Sequence, residues 1–312
     1  MPCFHPLEGF RSRHVNASGK RSIVFDISKS LFGRHSKVTL PCGQCVGCRL
    51  ERSRQWAIRC MHEAQLHASN CFITLTFNDK FLPKDGSLDV VYFQKFMKRL
   101  RKRFGNGIRF FHCGEYGERY GRPHYHACIF GFDFPDKSFW KRSAGCRLYT
   151  SEILSDLWSD PKSGESYGYT SIGDVTFESA AYVARYIMKK VNGKRADLHY
   201  AIGVDEDTGE VLTKKPEYTT MSRRPGIASA WFDKFSSDVF PSDEVVIRGK
   251  SMRPPKFYSS RYELANPDSF AIIKSQRKAN ALKHKLDCTP ERLSVREQVQ
   301  LSKLSSLVRP VD

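Results

Sequence analysis

Two histidines on either side of a tyrosine, His124-Tyr125-His126, are the part of the sequence best equipped for chemistry. They open an apolar run that continues to Phe132 and predicts a β-strand. Alternate residues of a strand point to the same face, so both imidazoles should share a face. Two imidazoles placed in this way could bind one divalent metal ion.

A pair of tyrosines lies downstream, in a segment from Ser179 to Lys190 that predicts a helix. Tyr182 and Tyr186 are four residues apart, which places both phenols on one helix face. Lys189, seven residues after Tyr182, or its neighbour Lys190 could contact a phosphate from that face. A phenol has a pKa of about 10 and needs activation by a metal or a lysine before it attacks. The pattern therefore indicates cleavage of a nucleic-acid strand through a covalent tyrosyl intermediate.

A carboxylate is the expected third metal ligand, because Mg²⁺ and Mn²⁺ prefer oxygen donors. Glu115 ends the strand that should pair with the histidine strand, and its side chain can reach across to His124 or His126. Glu118, in the turn that follows, is the alternative. We favour Glu115, since a strand end is held more firmly than the tip of a turn.

Three cysteines with two residues between successive members form a second cluster that could bind metal: Cys42, Cys45 and Cys48. Their spacing suits thiolate ligation of a structural Zn²⁺. The candidates for a fourth ligand are Cys3, His5 and Cys60. Iron–sulfur proteins contain similar runs, although a fourth cysteine normally follows closely there. Uncoordinated buried thiols are the remaining interpretation.

The composition favours a folded protein with a polyanionic partner. The chain has 312 residues, 40% of them hydrophobic, and 51 Lys and Arg against 33 Asp and Glu give a formal net charge of +18. Such an excess favours binding to nucleic acid through phosphate neutralisation. No apolar run approaches the roughly 20 residues of a membrane span, and the N-terminus lacks a secretory signal pattern. We expect no membrane association and a reducing compartment for the ten cysteines.

The elements around these motifs predict an α+β fold. Strands are expected over 71–77, 108–113, 124–132 and 167–175, and helices over 49–68, 89–104, 152–158 and 177–191. This order favours a mainly antiparallel sheet backed by helices, with the histidine strand central and the tyrosine helix nearby. We divide the chain into an N-terminal cysteine-rich segment (1–48), a nuclease domain (49–192) and a C-terminal extension (193–312) that is first loop-rich and then helical.

Three segments, in this order, resemble the motifs of the HUH endonucleases, the superfamily of rolling-circle replication initiators and relaxases. They are Phe72-Ile-Thr-Leu-Thr-Phe77, Arg122-Pro-His-Tyr-His-Ala-Cys-Ile-Phe-Gly131 and Tyr182-Val-Ala-Arg-Tyr-Ile-Met-Lys-Lys190. The two-tyrosine motif is similar to that of the microvirus initiators, and the stretch from Cys42 to Trp56 looks most like gokushovirus-type replication proteins. The resemblance covers residues 40–192 best. Tyr125 departs from it, because the family usually has a bulky hydrophobe there.

The resemblance implies a palm-like sheet that holds a catalytic Mg²⁺ or Mn²⁺. It implies nicking of the viral strand at a double-stranded origin, a 5′-phosphotyrosine and a free 3′-OH for the host polymerase. The two tyrosines would alternate, so that single-stranded circles are cut and rejoined. The sequence contains no helicase P-loop, so we expect a host helicase as partner and the host bacterial cytoplasm as the place of action.

Two other functions fit the same residues. A plasmid initiator, relaxase or transposase would use the same chemistry on a different DNA. A non-catalytic, zinc-containing nucleic-acid-binding protein would use the cysteines and the basic helices, and its histidine and tyrosine pairs would only pack in the core or cap local structure.

Overall fold

The computed structural model describes residues 3–17, 19, 21–117, 120–143, 145–185, 195–204 and 211–306. The described chain divides into two compact units. The first combines residues of 1–52 and 275–307, and the second is formed by residues 53–274.

The strands of the described chain are β1 (Leu7–Val15), β2 (Arg21–Val24), β3 (Lys37–Leu40), β4 (Asn70–Leu75), β5 (Arg109–Tyr116), β6 (Pro123–Phe130), β7 (Ser138–Ser143), β8 (Cys146–Thr150), β9 (Thr170–Gly173), β10 (Ala201–Val204), β11 (Val211–Thr213), β12 (Tyr218–Met221), β13 (Val245–Ile247) and β14 (Lys250–Met252). The α-helices are α1 (Val46–Ala64), α2 (Val90–Phe104), α3 (Glu152–Leu157), α4 (Phe177–Arg185), α5 (Arg195–Tyr200), α6 (Ser229–Phe235), α7 (Lys256–Ala265), α8 (Pro267–Lys283) and α9 (Pro290–Ser305).

A seven-stranded sheet forms the centre of the second unit, with the strand order β12-β5-β6-β4-β9-β8-β7. Every neighbouring pair in it is antiparallel. The α+β class with a large antiparallel sheet flanked by helices is therefore confirmed. The histidine strand β6 lies inside the sheet between β5 and β4, which confirms its predicted central position.

Side-chain alternation along β6 separates two cores on the two faces of the sheet. On one face, Cys128 and Phe130 pack in a cluster with residues of α1 and α4. On the other face, Tyr125, Ala127 and Ile129 pack in a cluster with residues of α2 and α3. Because α4 packs against β5 and β6, the expectation that the tyrosine helix lies near the histidine strand is also confirmed.

The β5–β6 hairpin reaches further into the expected turn than the sequence indicates, although β6 ends at Phe130, two residues earlier than expected. The expected turn of residues 114–123 is shorter, because β5 continues to Tyr116 and β6 begins at Pro123. Proline is tolerated as the first residue of a strand, where the ladder does not require its missing N–H. The extra pairs bring Glu115 directly opposite His124.

Two parts of the sheet come from segments in which no strand was expected. Residues 138–150, which looked basic and poorly patterned, form the β7–β8 hairpin at one edge. Strand β12, from the loop-rich stretch after residue 193, pairs with β5 at the other edge. The described part of α4 ends at Arg185, and the rest of the helix expected over 177–191 lies outside the described residues.

The first unit contains a three-stranded sheet with the order β2-β1-β3. A small core lies beside it, in which Phe4 packs with Cys45 and with Leu293 of α9. Helices α8 and α9 agree with the helical character expected for residues 265–305. In the described portion of the chain, no helix has both the length and the apolarity needed to cross a membrane.

Candidate active site

A buried histidine and a buried carboxylate meet on adjacent strands. His126 of β6 and Glu115 of β5 are each only 2% exposed, and His126 Nε2 lies 2.8 Å from Glu115 Oε1. A carboxylate is rarely buried without a partner, because removal of its charge from water is costly. The pair is thus a polar site built into the sheet.

Thr74 fixes the orientation of this imidazole. It lies directly opposite His126 in the pairing of β4 with β6, and its Oγ1 is 3.0 Å from His126 Nδ1. A partner on one ring nitrogen sets the orientation of the other, as is usual for metal-binding histidines. Sequence reasoning missed this residue, although Thr74 lies inside the first of the three motifs. The available signal was its position two residues after Phe72, which places both side chains on the same face of the strand.

Tyr182 reaches the same carboxylate from the helix. Its hydroxyl donates to Glu115 Oε1 at 3.3 Å. The ring stands edge-on to that of His126, with centroids 5.1 Å apart and planes at 89°. The structure therefore brings together three predicted site residues from three elements: His126, Glu115 and Tyr182.

The first turn of α4 is fixed by reciprocal hydrogen bonds that resemble a capping box. The backbone N–H of Ser179 donates to Thr176 Oγ1 at 3.1 Å, and the N–H of Thr176 donates to Ser179 Oγ at 2.8 Å. Ser53 of α1 also donates its hydroxyl to the carbonyl of Ala181 at 2.9 Å. Tyr182 is thus held in place by the start of its own helix and by a neighbouring helix.

His124 lies beside this cluster, half-buried and opposite Glu115 in the hairpin. Its ring centroid is 6.4 Å from that of His126. The ring packs over Gly117, where an added Cβ would lie 2.7 Å from His124 Cε1. Only glycine allows this close approach, so Gly117 helps to position the imidazole.

The expected metal ligands are partly assembled. His126 and Glu115 are in contact, and His124 lies next to them on the same face. Among the described residues, one group of three or more His, Cys, Asp or Glu residues has all its ligand atoms within 4.8 Å of one another, and this group consists of four cysteines and not of these three residues. Two imidazoles and a carboxylate nevertheless suit a divalent cation such as Mn²⁺, so the residues present fit the expected ion.

Four further candidates lie outside the described residues: Tyr186, Lys189, Lys190 and Glu118. Their roles stay predictions.

The cysteine cluster of the first unit gains its fourth member from the N-terminus. Cys3 joins Cys42, Cys45 and Cys48, with all four sulfurs within 4.8 Å of one another. Such a set could hold a metal ion such as Zn²⁺. The other two candidates for the fourth ligand have different partners. His5 pairs with Glu297, and Cys60 is buried next to Cys128.

Backbone donors favour the thiolate form of Cys45, whereas burial raises the pKa of Cys3 and that of Cys48. Burial alone would raise the pKa of Cys45, but backbone hydrogen bonds from Cys48 and Phe4 and the neighbouring thiols lower it to about 6. The N–H of Phe4 lies 3.3 Å from Cys45 Sγ. A thiol that ionises below neutral pH is suited to metal ligation.

These observations define an α+β protein with a buried His–Glu–Tyr cluster on an antiparallel sheet. Comparison with known protein families finds a match that covers these residues. A family model described as "Replication-associated protein ORF2/G2P" matches residues 70–191, which contain the whole cluster.

The similar proteins come from phages. The chain is 33% identical over 281 residues to the replication-associated protein VP4 of Bdellovibrio phage phiMH2K, covering 86% of this chain and 80% of the relative. It is 30% identical over 299 residues to the replication-associated protein ORF2 of Spiroplasma virus 4, covering 89% and 86%. It is 28% identical over 228 residues to the replication-associated protein ORF4 of Chlamydia phage 1, covering 70% and 52%. No solved structure matches.

The chain belongs to the family of phage replication-associated proteins. The resemblance to phage replication initiators that the sequence motifs indicated is thereby confirmed.

Proposed function

We propose that this protein initiates rolling-circle replication of a phage genome as a metal-dependent, site-specific single-strand DNA endonuclease and strand transferase. One observation carries the proposal: the hydroxyl of Tyr182 contacts Glu115, and Glu115 contacts His126. A nucleophile is thereby adjacent to donors that suit a divalent cation. The family relationship to phage replication-associated proteins supports the same conclusion.

Tyr182 is the nucleophile whose surroundings can be described. Its oxygen would form a bond to the scissile phosphorus while the bond from phosphorus to the 3′ oxygen breaks. The phenolic proton leaves towards Glu115, which already accepts a hydrogen bond from it, and the departing 3′ oxygen takes a proton to become a free 3′-OH. The product is a 5′-phosphotyrosine, which keeps the bond energy for rejoining.

We assign His124, His126 and Glu115 to the binding of Mg²⁺ or Mn²⁺, with Thr74 as the residue that orients His126. When bound, the cation would polarise the phosphate and stabilise the leaving oxygen as a Lewis acid.

Two tyrosines allow the cycle to close. In this proposal Tyr186, four residues after Tyr182 in the sequence, performs the second transfer, and Lys189 contacts the phosphate. The free 3′-OH would attack the phosphotyrosine, so that the phosphodiester bond is restored and a circle is released. In this proposal residues 49–192 carry the nuclease chemistry, and the C-terminal extension adds strand β12 to their sheet. The four cysteines hold a structural Zn²⁺.

The partners follow from this chemistry. The net charge of +18 supports binding to the double-stranded origin and to the displaced single strand. We propose that a host helicase opens the duplex and a host polymerase extends the 3′-OH, in the bacterial cytoplasm.

A covalent adduct tests the proposal. The protein is incubated with Mn²⁺ or Mg²⁺ and a pool of single-stranded oligonucleotides with a randomised centre, labelled at either the 5′ or the 3′ end. A denaturing gel should show the 3′ label, and not the 5′ label, attached to the protein. Sequencing of the covalent fraction would then give the cleavage site.

Variants decide which residues form the adduct. The double variant Tyr182→Phe/Tyr186→Phe should form none, whereas Tyr92→Phe, a half-buried phenol on the other face of the sheet, should match the unaltered protein. An adduct that persists in the double variant removes the assigned nucleophiles. Absence of any adduct, with intact DNA binding, favours the non-catalytic zinc protein instead.

A further inference from the structure

A groove of about 550 Å³ opens beside Tyr182 on the catalytic face of the sheet. Its floor is formed by β4 and β9, one wall by the β7–β8 hairpin and the opposite wall by α4. Phe72 and Thr74 line it as well as Tyr182. The groove is therefore continuous with the residues that surround the nucleophile.

A β-bulge shapes the outer wall. Phe139 pairs with Tyr149 and Lys141 pairs with Leu148, so Trp140 is an extra residue between them. Neighbours in a regular strand point to opposite faces, but Trp140 and Lys141 both line the groove. Bulges re-aim side chains in this way, often next to active sites.

The bulge exposes an aromatic ring and a cation to the groove. Trp140 is 50% exposed, and Lys141 Nζ lies 4.0 Å from the centre of its ring. Tyr169, at the other side of the opening, is 82% exposed. Flat, exposed rings of this kind are the surfaces on which unpaired bases stack.

The charges of the groove favour a phosphate backbone. Lys141 lines it, is exposed, and forms no ion pair among the described residues. On the acidic side, Glu178 is already paired with Arg248 at 2.6 and 3.0 Å, which leaves Asp174 as the other carboxylate in the lining.

Small hydroxyl side chains cover much of the floor and the helix side. They are Thr74, Thr76, Ser171, Thr176 and Ser179. Hydroxyl groups commonly contact the sugars and phosphates of DNA without reading the bases. The floor can therefore hold a backbone, and the exposed rings of Trp140 and Tyr169 can hold bases.

We infer that this groove binds a single-stranded segment of DNA next to the cleaved phosphate, with unpaired bases stacked on Trp140 and Tyr169 and the backbone held by Lys141 and the hydroxyl groups of the floor. The inference rests on the proposed function and specifies the strand that the site accepts. Paired bases are stacked inside a duplex and cannot offer their faces to the rings, so the groove selects single strands.

Fluorescence anisotropy with labelled (dT)15, and with a 15-base-pair duplex as competitor, tests the inference on the full-length protein. Trp140→Ala should bind (dT)15 about tenfold more weakly, since a base stacked on an aromatic side chain contributes about 1–3 kcal/mol. Lys141→Ala should reduce the salt dependence of binding, with a slope lower by about 0.7 for one lost phosphate contact to a single strand.

Phe139→Ala is the matched control, because Phe139 is the adjacent residue, is 59% exposed and does not line the groove. It should change (dT)15 affinity less than twofold. Equal losses in Trp140→Ala and Phe139→Ala would overturn the inference, and so would a duplex that competes as well as the single strand.

The adduct assay separates the inference from the proposed function. If the unaltered protein forms an adduct but Trp140→Ala binds (dT)15 normally, the groove assignment is wrong and the chemistry stands. If Trp140→Ala loses binding but the unaltered protein never forms an adduct, the groove stands and the proposed chemistry fails.

Discussion

Two buried histidines on neighbouring strands, His126 and His112, lie on opposite faces of the same sheet and have opposite surroundings. His126 contacts Glu115 through one ring nitrogen and Thr74 through the other. His112 is stacked on Phe93 with ring centroids 3.5 Å apart. Its Nδ1 lies within hydrogen-bond distance of Thr220 Oγ1, and its Nε2 has no hydrogen-bond partner among the described residues.

The comparison shows which surroundings distinguish a candidate metal-binding histidine from a histidine that only packs in the core. Burial lowers the pKa of His112 well below its ordinary 6.5, so the ring stays neutral and behaves as a core aromatic. His126 is equally buried, but a carboxylate and a phenol reach it. A carboxylate on the same face, and not burial itself, distinguishes His126 from His112.

The largest expected effect on adduct formation comes from a comparison of two single variants, in each of which one of these histidines is replaced by an apolar residue. His126→Ala should reduce adduct formation about a thousandfold or more, since a lost metal ligand removes several kcal/mol of transition-state stabilisation. His112→Leu should retain the adduct yield per folded molecule. Quantified adduct gels, normalised to the folded fraction by circular dichroism, measure both. Similar losses in the two variants would remove the distinction between the faces.

The free energy of unfolding should decrease in acid, because two histidines are buried in their neutral form. Burial lowers the pKa of His62 to about 4 and that of His112 well below 6.5, so the folded state binds fewer protons than the unfolded state between these pH values. This stability is complete above about pH 6.5 and is lost as the pH falls towards 4.

For His62 alone the loss is about 3 kcal/mol. Denaturant unfolding at pH 7.5 and at pH 4.5 measures it, and His112→Leu should show a smaller decrease than the unaltered protein. An equal decrease in both would mean that His112 is protonated in the folded state.

Thr74→Val tests the orientation of His126 without removing a ligand. Loss of the hydroxyl should lower metal affinity about ten- to a hundredfold, as is typical for partners of metal-binding histidines. The adduct yield should recover when Mn²⁺ is raised, and Thr74→Ser should resemble the unaltered protein. If excess Mn²⁺ rescues nothing, Thr74 acts in some way other than through His126.

Tyr125→Phe should have the smallest effect, although the residue lies between the two site histidines. Its hydroxyl donates to the carbonyl of Asp89 at 2.9 Å and accepts from the N–H of Asp89 at 3.1 Å, on the face opposite the site. We expect a loss of about 1–2 kcal/mol in unfolding free energy. Adduct formation per folded molecule should not change, and a large drop would place Tyr125 in the site.

Local patterns predicted the part of the fold that holds the candidate site. Strand β6 followed from its apolar run, and the approach of Glu115 to the histidines followed from the expected hairpin; both are local properties of the sequence. Tyr182 followed from helical spacing. The Thr74 contact depends on how β4 aligns with β6, and that register is set by packing across 52 residues.

The β7–β8 hairpin and β12 escaped prediction for different physical reasons. The bulge at Trp140 interrupts the two-residue period by which a strand is recognised. Strand β12 has only four residues, and it forms by pairing with β5, about a hundred positions earlier in the chain. A strand so short is stabilised by its neighbour more than by its own sequence.

The position of β12 limits how far the chain can be shortened. Tyr218 covers Gly114 of β5 so closely that an added Cβ on the glycine would lie 2.7 Å from the Tyr218 ring. A fragment that stopped after the tyrosine helix would leave the backbone amides and carbonyls of β5 bare along the sheet border. Such borders recruit strands from other molecules. Shortened versions for crystallisation should therefore extend beyond Met221, or they will self-associate through the strand that carries Glu115.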